Sequence, residues 1–396
     1  MPVLHVSVDD LRPGMYIVDT GASWIDHPYL YAKEGVIRSQ AEIAEIIQQG
    51  FAEAYYDPEQ SNIKPAEPIS LENAGESRGA PAVVSLAEEL QQAENTYTEC
   101  VRHARAFMLE ARNGTVDLEA SRPLVHGIID SVNRNVDALT SLAKIKHYDE
   151  YTFAHCVNVA IFSVAFGKYL GFDQQKLYLL GMAGLFHDLG KMRVPVEILN
   201  APRRLTDEEF AVMKTHARLG QDTLASVKGI EPEIMLGAGQ HHEKHDGSGY
   251  PGHLVGVRIS QYGRILSVAD CYDALSAKRV YKAAMPPTKA LSIMFEMRRG
   301  AWEPGLLEHF IKMMGIYPVG TPVELSSGFR GVIARANPAM PLQPVAAVVR
   351  APDGRGIVPP RTVDLAKHRG IKITQPLTAG EAADIDALSI LKSLGD

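Results

Sequence analysis

Seven side chains able to bind a metal ion are spread over one part of the chain: His155, the pair His187 and Asp188, His216, the pair His241 and His242, and Asp270. They are set in strongly apolar segments such as FAHCVNVAIF, MAGLFHDLGK and ILSVADCYDAL. A carboxylate or several imidazoles buried in such surroundings is costly unless paired, and a divalent cation is a strong partner. Imidazole and carboxylate donors without thiolate favour iron, manganese, nickel or zinc, and argue against a structural cysteine-type zinc site. Five histidines and two aspartates are more than one tetrahedral ion takes. Two ions about 3.5 to 4 Å apart would use all seven, with Asp188 as the natural bridge; such a pair acidifies a shared water and suits in-line displacement at phosphorus.

The elements that must hold these donors are helical. From residue 83 to 316 apolar residues recur at i, i+3, i+4 and i+7, as in SLAEELQQAENTYTECVRHARAFMLE, HCVNVAIFSVAFGKYL and QKLYLLGMAGLFHDLG. Thr206 and Glu209 form a capping box ahead of FAVMKTHARLGQDTLASV, which fixes where His216 sits on that helix. Pro232 suits the first turn of the helix that leads to His241. Residues 1–60 alternate apolar and polar residues between the turn signals RPGM, DTGASW and KEGV, then give the amphipathic AEIAEIIQQG, so they read as a small α+β domain. Residues 61–82, rich in Pro, Ser, Glu and Gly with almost no apolar period, read as a linker. Residues 83–146 are a helical connecting region. After Pro318 the segments TPVEL, GVIARAN and VAAVVRA indicate short strands, so residues 317–396 form a small C-terminal β-rich appendage.

The order HDLGK (187–191), THARLG, HHEKHDGSGYPG (241–252) and RILSVADCYDALSAKRVY (264–281) resembles the successive motifs of the HD-GYP subgroup of HD-domain phosphohydrolases. The resemblance covers about residues 147–316 and implies a mainly α fold: an all-helical HD-type phosphohydrolase domain with the two flanking segments. The segment before the linker resembles, less specifically, the small domain of unknown function found ahead of HD-GYP domains. The resemblance implies one metal on His155, His187, Asp188 and Asp270, and a second on Asp188, His216, His241 and His242. It implies a phosphodiesterase that hydrolyses cyclic di-GMP to linear pGpG through a hydroxide activated by the two metals, and leaves open a second step to GMP.

Lys191, four residues after His187 and so on the same face of an α-helix, would aim its ammonium at a phosphate oxygen. Asp246, Gly247, Gly249 and Tyr250 of DGSGYP would line the substrate cleft, the glycines by permitting positive φ and close approach of a ligand. Arg279 and Lys282 resemble the family's phosphate-contacting basic residues. Tyr151 occupies the position where some members carry a glutamate for a third metal, and Glu150 is turned away by helical spacing, so two ions are expected. His245, Cys156, Cys271, Arg203 and Arg204 are not assigned to the site.

The rest of the composition narrows the partners. A net charge of −7 gives no field that would draw the chain to duplex DNA or RNA or to an anionic membrane. No apolar run approaches the roughly 18 to 20 residues of a membrane span. Cys100, Cys156 and Cys271 lack CxxC spacing, which suits reduced core thiols in a cytoplasmic protein. A homodimer through the long helix around residues 85–112, and signalling partners acting through the N-terminal domain, are compatible with these features. Two other functions compete: another HD-type hydrolase of a nucleoside triphosphate or guanosine alarmone, and a non-catalytic module that binds a cyclic dinucleotide. DGSGYP counts against the first, and the complete donor set counts against the second.

Overall fold

The computed structural model describes residues 3–8, 11–20, 29–57, 61, 69–71, 74–75, 82–112, 117–146, 151–277, 285–368 and 370–394, with backbone alone at 40 and 151. The chain divides into two units, Met1–Glu67 and Pro68–Asp396. The first contains strands β1 (Leu4–Ser7), β2 (Tyr16–Ile17), β3 (Leu30–Tyr31) and β4 (Gly35–Val36), helix α1 (Gln40–Gln48) and strand β5 (Glu53–Asp57). β5 lies between β1 and β2, both antiparallel to it, and also pairs with β3 in parallel. Alternation along β1 and β5 turns Val6, Ala54 and Tyr56 into a small core with Ile17, Ile37, Ile43 and Ile46. Ser39 caps α1 by accepting from the Glu42 N–H, and Gly50, at φ +87°, turns the chain back into β5.

The second unit is built on helices α2 (Leu86–Arg112), α3 (Arg122–Arg134), α4 (Val136–Ile145), α5 (Tyr151–Tyr169), α6 (Gln174–Phe186), α7 (Val196–Leu199), α8 (Asp207–Lys214), α9 (His216–Ala225), α10 (Pro232–Gln240), α11 (Gln261–Ser276), α12 (Pro287–Ala301) and α13 (Leu306–Met314). Helix α6 is buried at every position from Leu177 to Phe186, and α5 is apolar all round; such helices belong at the centre of a core. Helix α2 lays Leu90, Ala93, Tyr97, Cys100, Ala104 and Phe107 into that same core, so its apolar face is packed within its own chain. Among the described residues, no helix is long and apolar enough to cross a membrane.

The flanks make their own contacts. Residues 61–82 read as a linker, and among its described residues Ile69 is buried in the helical core, Leu71 packs against it, and the Gly75 N–H donates to the Tyr169 carbonyl at 2.9 Å. Two apolar side chains anchor the segment without making a period. The C-terminal segment is fused to the helices more than appended. Strands β6 (Pro322–Leu325), β7 (Arg330–Arg335), β8 (Val345–Arg350), β9 (Gly356–Asp364) and β10 (Ile373–Pro376) form an antiparallel sheet in the order β10-β6-β7-β8-β9. One face encloses Val323, Leu325, Ile333 and Val348, while Val332 and Val349 join the helical core. Helix α14 (Ala387–Ser393) buries Leu391 there too, and Lys392 pairs with Glu94 on α2.

Candidate metal centre

Five of the seven donors lie at helix ends, not inside helices as the apolar runs suggest. His187 is the C-cap of α6, and at Asp188 (φ −98°, ψ 9°) the chain tightens into a 3-10 turn, Leu189–Arg193. His216 opens α9 just after α8 has ended, and His241 is the C-cap of α10 with His242 following. The expected capping box of Thr206 and Glu209 is present, but the helix it starts stops at Lys214. The reason is local. Thr215 Oγ1 donates to the Val212 carbonyl and His216 Nδ1 to the Met213 carbonyl, so side chains take acceptors that a continuing helix would use.

A common geometry results. The last carbonyls of a helix have no intrahelical donor. His187 Nδ1 donates to the Gly184 carbonyl at 2.7 Å, His216 Nδ1 to Met213 at 2.6 Å, and His241 Nδ1 to Ala238 at 2.7 Å. With Nδ1 protonated, each Nε2 keeps its lone pair and faces inward, the arrangement of a metal-ligating imidazole. The C-termini of α6 and α10, which carry His187 and His241 as their caps, also place negative dipole ends beside these histidines, which favours cations.

The inward atoms form two groups, His155, His187 and Asp188 in one and His216, His241 and His242 in the other, each within 4.8 Å. Asp188 divides its carboxylate between them. Its Oδ2 lies 3.5 Å from His155 Nε2 and 3.4 Å from His187 Nε2, while its Oδ1 lies 3.4 Å from His216 Nε2 and 3.9 Å from His241 Nε2. Asp270 Oδ1 is 3.1 Å from His155 Nε2, and its Oδ2 is 3.8 Å from His242 Nδ1. His187 Nε2 and Asp188 Oδ1 are buried without a hydrogen-bond partner, and the His216 and His241 lone pairs face each other at 3.4 Å. Orphaned acceptors and opposed lone pairs are unfavourable alone and are what a bound cation would satisfy, so the residues fit a divalent metal.

The electrostatics agree with that fit. Burial alone would raise the Asp188 carboxyl, but Lys191 and His187 hold it well below the usual carboxylate range. Burial opposes ionisation of Asp270 too, but the hydrogen bond with His155 and the charges of His155, His242 and His187 together hold it well below the usual carboxylate range. Burial pushes His241 well below the ordinary imidazole value and His242 down to about 3, so both stay neutral. His155 differs. Burial would lower it, but hydrogen bonds with Asp270 and Asp273 raise it to about 9.

The remaining sequence assignments divide. Lys191 Nζ reaches Asp188 Oδ2 at 2.5 Å, through i,i+3 spacing on the 3-10 turn and not through the α-helical face expected from His187. Tyr250 leans its ring over His242, centroids 4.7 Å apart. Gly247 has the expected positive φ, +82°. Gly249 does not: a Cβ there would lie 2.3 Å from Lys244 N, so the residue is small to let its own loop close. Asp246 caps that turn, accepting from the Ser248 N–H at 2.9 Å, while its own N–H donates to the Gly300 carbonyl. Arg279, Lys282 and Glu150, and the side chain of Tyr151, lie outside the described residues. Arg203 pairs with Glu209, and Cys156 is buried with its thiol raised well above its ordinary value by desolvation.

Sequence reading missed two buried carboxylates. Glu243 accepts from the N–H groups of Gly252 at 2.6 Å and Leu254 at 3.0 Å and so shapes the loop beyond Tyr250. Asp273 Oδ2 accepts from His155 Nδ1 at 2.7 Å. The available signal was spacing: Asp273 follows Asp270 by three residues and shares its helical face.

Residues 128–304 match the HD domain family, and residues 4–120 match a domain of unknown function, DUF3391. Helical fold and histidine–aspartate cluster are therefore those of an HD-domain phosphohydrolase, a metal-dependent class. Among curated proteins, the cyclic di-GMP phosphodiesterase PA4108 of Pseudomonas aeruginosa is 33% identical over 92% of this chain and 89% of its own length. The 3'3'-cGAMP-specific phosphodiesterase 3 of Vibrio cholerae is 36% identical over 42% of this chain and 36% of its own length. Among solved structures, the HDG"Y"P protein Bd1817 of Bdellovibrio bacteriovorus matches with a TM-score of 0.47 and 17% identity, over 78% of this chain and 98% of that one. The chain belongs to the HD-GYP family, with a DUF3391 domain at its N-terminal side.

Proposed function

We propose that this chain is a metal-dependent phosphodiesterase that opens cyclic di-GMP to linear pGpG and carries it on to GMP, in the cytoplasm. The observation that carries the reading is the Asp188 carboxylate, divided between two sets of imidazoles whose lone pairs turn inward. His155, His187, Asp188 and Asp270 would hold one ion, and Asp188, His216, His241 and His242 a second; iron, manganese, nickel and zinc all accept these donors. Such ions supply an acidified water for attack on phosphorus and positive charge for the phosphoryl oxygens.

The chain's own groups do the rest. Lys191, held beside Asp188 with part of its side chain open to solvent, donates to a non-bridging phosphoryl oxygen as negative charge builds there. Tyr250 offers an apolar ring beside His242 against which a base or ribose packs. Gly247 and Glu243 hold the loop that presents it, and Arg279 and Lys282 would contact phosphate oxygens of the substrate. Cyclic di-GMP is favoured over 3'3'-cGAMP because a relative of the first activity matches 92% of the chain, whereas 3'3'-cGAMP-specific relatives match 42% and 59% of it.

The test is anaerobic purification of the full chain, elemental analysis for metal, and chromatography of products from cyclic di-GMP, 3'3'-cGAMP and a nucleoside triphosphate. Two metals per chain with pGpG and GMP from cyclic di-GMP are expected, and Asp188→Ala should abolish turnover. Cleavage of the triphosphate alone would overturn the reading.

A further inference from the structure

The orientation of His155 depends on a buried chain of hydrogen bonds that leaves the metal centre and ends on α2. His155 Nδ1 donates to Asp273 Oδ2 at 2.7 Å, Asn158 Nδ2 donates to Asp273 Oδ1 at 2.9 Å, and the Tyr97 hydroxyl donates to Asn158 Oδ1 at 2.8 Å. All four side chains are at most 4% exposed. The direction of the chain is fixed by chemistry. Both Asp273 oxygens accept, one from His155 Nδ1 and one from Asn158 Nδ2, and a reversed Asn158 amide would set two acceptor oxygens against each other. The amide oxygen must therefore face Tyr97, and the hydroxyl must donate to it. With Nδ1 held by Asp273, the nitrogen left to give up its proton to a metal is Nε2, which faces Asp188 and Asp270.

The far end of this chain lies outside the HD match. Tyr97 belongs to residues 4–120, matched by the domain of unknown function, while His155, Asn158 and Asp273 lie within residues 128–304. One turn before Tyr97, Glu94 pairs with Lys146 at 2.8 Å and with Lys392 of α14, so one residue inside the HD match and one beyond it fix the register of α2.

We infer that Tyr97, Asn158 and Asp273 are positioning residues of the metal centre, and that α2 completes a site which the HD segment alone leaves unfinished. Tyr97 sets the Asn158 amide, Asn158 steadies Asp273, and Asp273 holds His155 in the rotamer and tautomer that bind the ion. The inference rests on the proposed role of His155 as a ligand.

The experiment uses the full chain loaded with cobalt(II), comparing wild type, Tyr97→Phe, Asn158→Ala, Asp273→Asn and Cys100→Ala. Cys100 is one turn beyond Tyr97, equally buried and outside the hydrogen-bonded chain. Metal affinity by chelator competition and the visible cobalt spectrum are read beside thermal melting. Loss of an outer partner of a ligating histidine weakens metal affinity about 10- to 100-fold; Tyr97→Phe should fall near the lower figure and Asp273→Asn near the upper, each with an altered spectrum. Cys100→Ala should keep both. Wild-type affinity and spectrum in Tyr97→Phe, or an equal loss in Cys100→Ala, would overturn the inference. A wild type that takes up no metal would sink the proposed function and the inference together. Metal lost on Tyr97→Phe in a chain that cleaves no cyclic dinucleotide would sink the function and leave the inference standing.

Discussion

The closest packing at the centre is backbone on backbone, where the turn carrying Lys191 meets the start of α9. A Cβ on Gly190 would lie 1.9 Å from the His216 carbonyl oxygen and 2.4 Å from Gly220 N, whereas real Cβ atoms essentially never come within 3.0 Å of a neighbour. Neither obstacle is a side chain that could swing aside. In Gly190→Ala the 189–193 turn and α9 must therefore separate by about 1 Å, and His216 moves with α9 away from Asp188, whose Oδ1 is now 3.4 Å from its Nε2. Overpacking of this kind costs about 1–3 kcal/mol of stability. A displacement of about 1 Å in a catalytic constellation costs on the order of 100-fold in rate, or about 2.7 kcal/mol of barrier. The assay is kcat for cyclic di-GMP with metal content and thermal melting on the same sample. Gly380→Ala serves as control, since a Cβ there meets nothing within 4 Å. Gly190→Ala should keep its fold, lose about 100-fold in kcat and bind less metal. Wild-type turnover with full metal content would refute the argument that this contact sets His216.

Other consequences are equally direct. Without metal, His155 is protonated below about pH 9, because its hydrogen bonds with Asp270 and Asp273 outweigh burial, so the ion must displace that proton. Metal affinity should rise with pH up to about 9, and calorimetry near neutral pH in buffers of different ionisation enthalpy should read release of about one proton per chain; no release would count against His155 as a ligand. Lys191→Met removes the ammonium beside Asp188 Oδ2 and should lower kcat about 100- to 1000-fold with metal retained; an unchanged kcat would remove Lys191 from the chemistry. Glu243→Gln leaves one of the Gly252 and Leu254 N–H groups without its acceptor, at about 1–3 kcal/mol. Its expected signature is a raised KM for the cyclic dinucleotide at unchanged metal content.

Apolar periodicity was enough to read the helical bundle, and metal-capable side chains set in apolar runs marked out the seven candidate donors, because both are local features of the sequence. Where each helix stops is not local in the same way. The segment from Thr206 through His216 carries an unbroken helical pattern, yet Thr215 and His216 turn their own side chains onto the last carbonyls of α8 and end it. The hydrogen-bonded chain to Tyr97 was less legible still. Asn158 follows His155 by three residues, as Asp273 follows Asp270, but Tyr97 stands 61 positions before Asn158, and nothing in its own segment marks it as polar-partnered.

The histidines at the helix ends give the physical reason why HD and HH, uninformative as dipeptides, become informative in place. A histidine inside a helix finds the i−3 carbonyl already engaged, so it gains nothing by turning Nδ1 backward. At the C-terminus that carbonyl is free, and satisfying it fixes the tautomer and aims Nε2 past the end of the helix. His187, His216 and His241 all use this arrangement, on three different helices. The cation preference of the centre thus depends on backbone carbonyls that orient the imidazoles. It should survive changes along the outer faces of α6, α8 and α10, and should fail when a helix end is shifted, as Gly190→Ala shifts the start of α9.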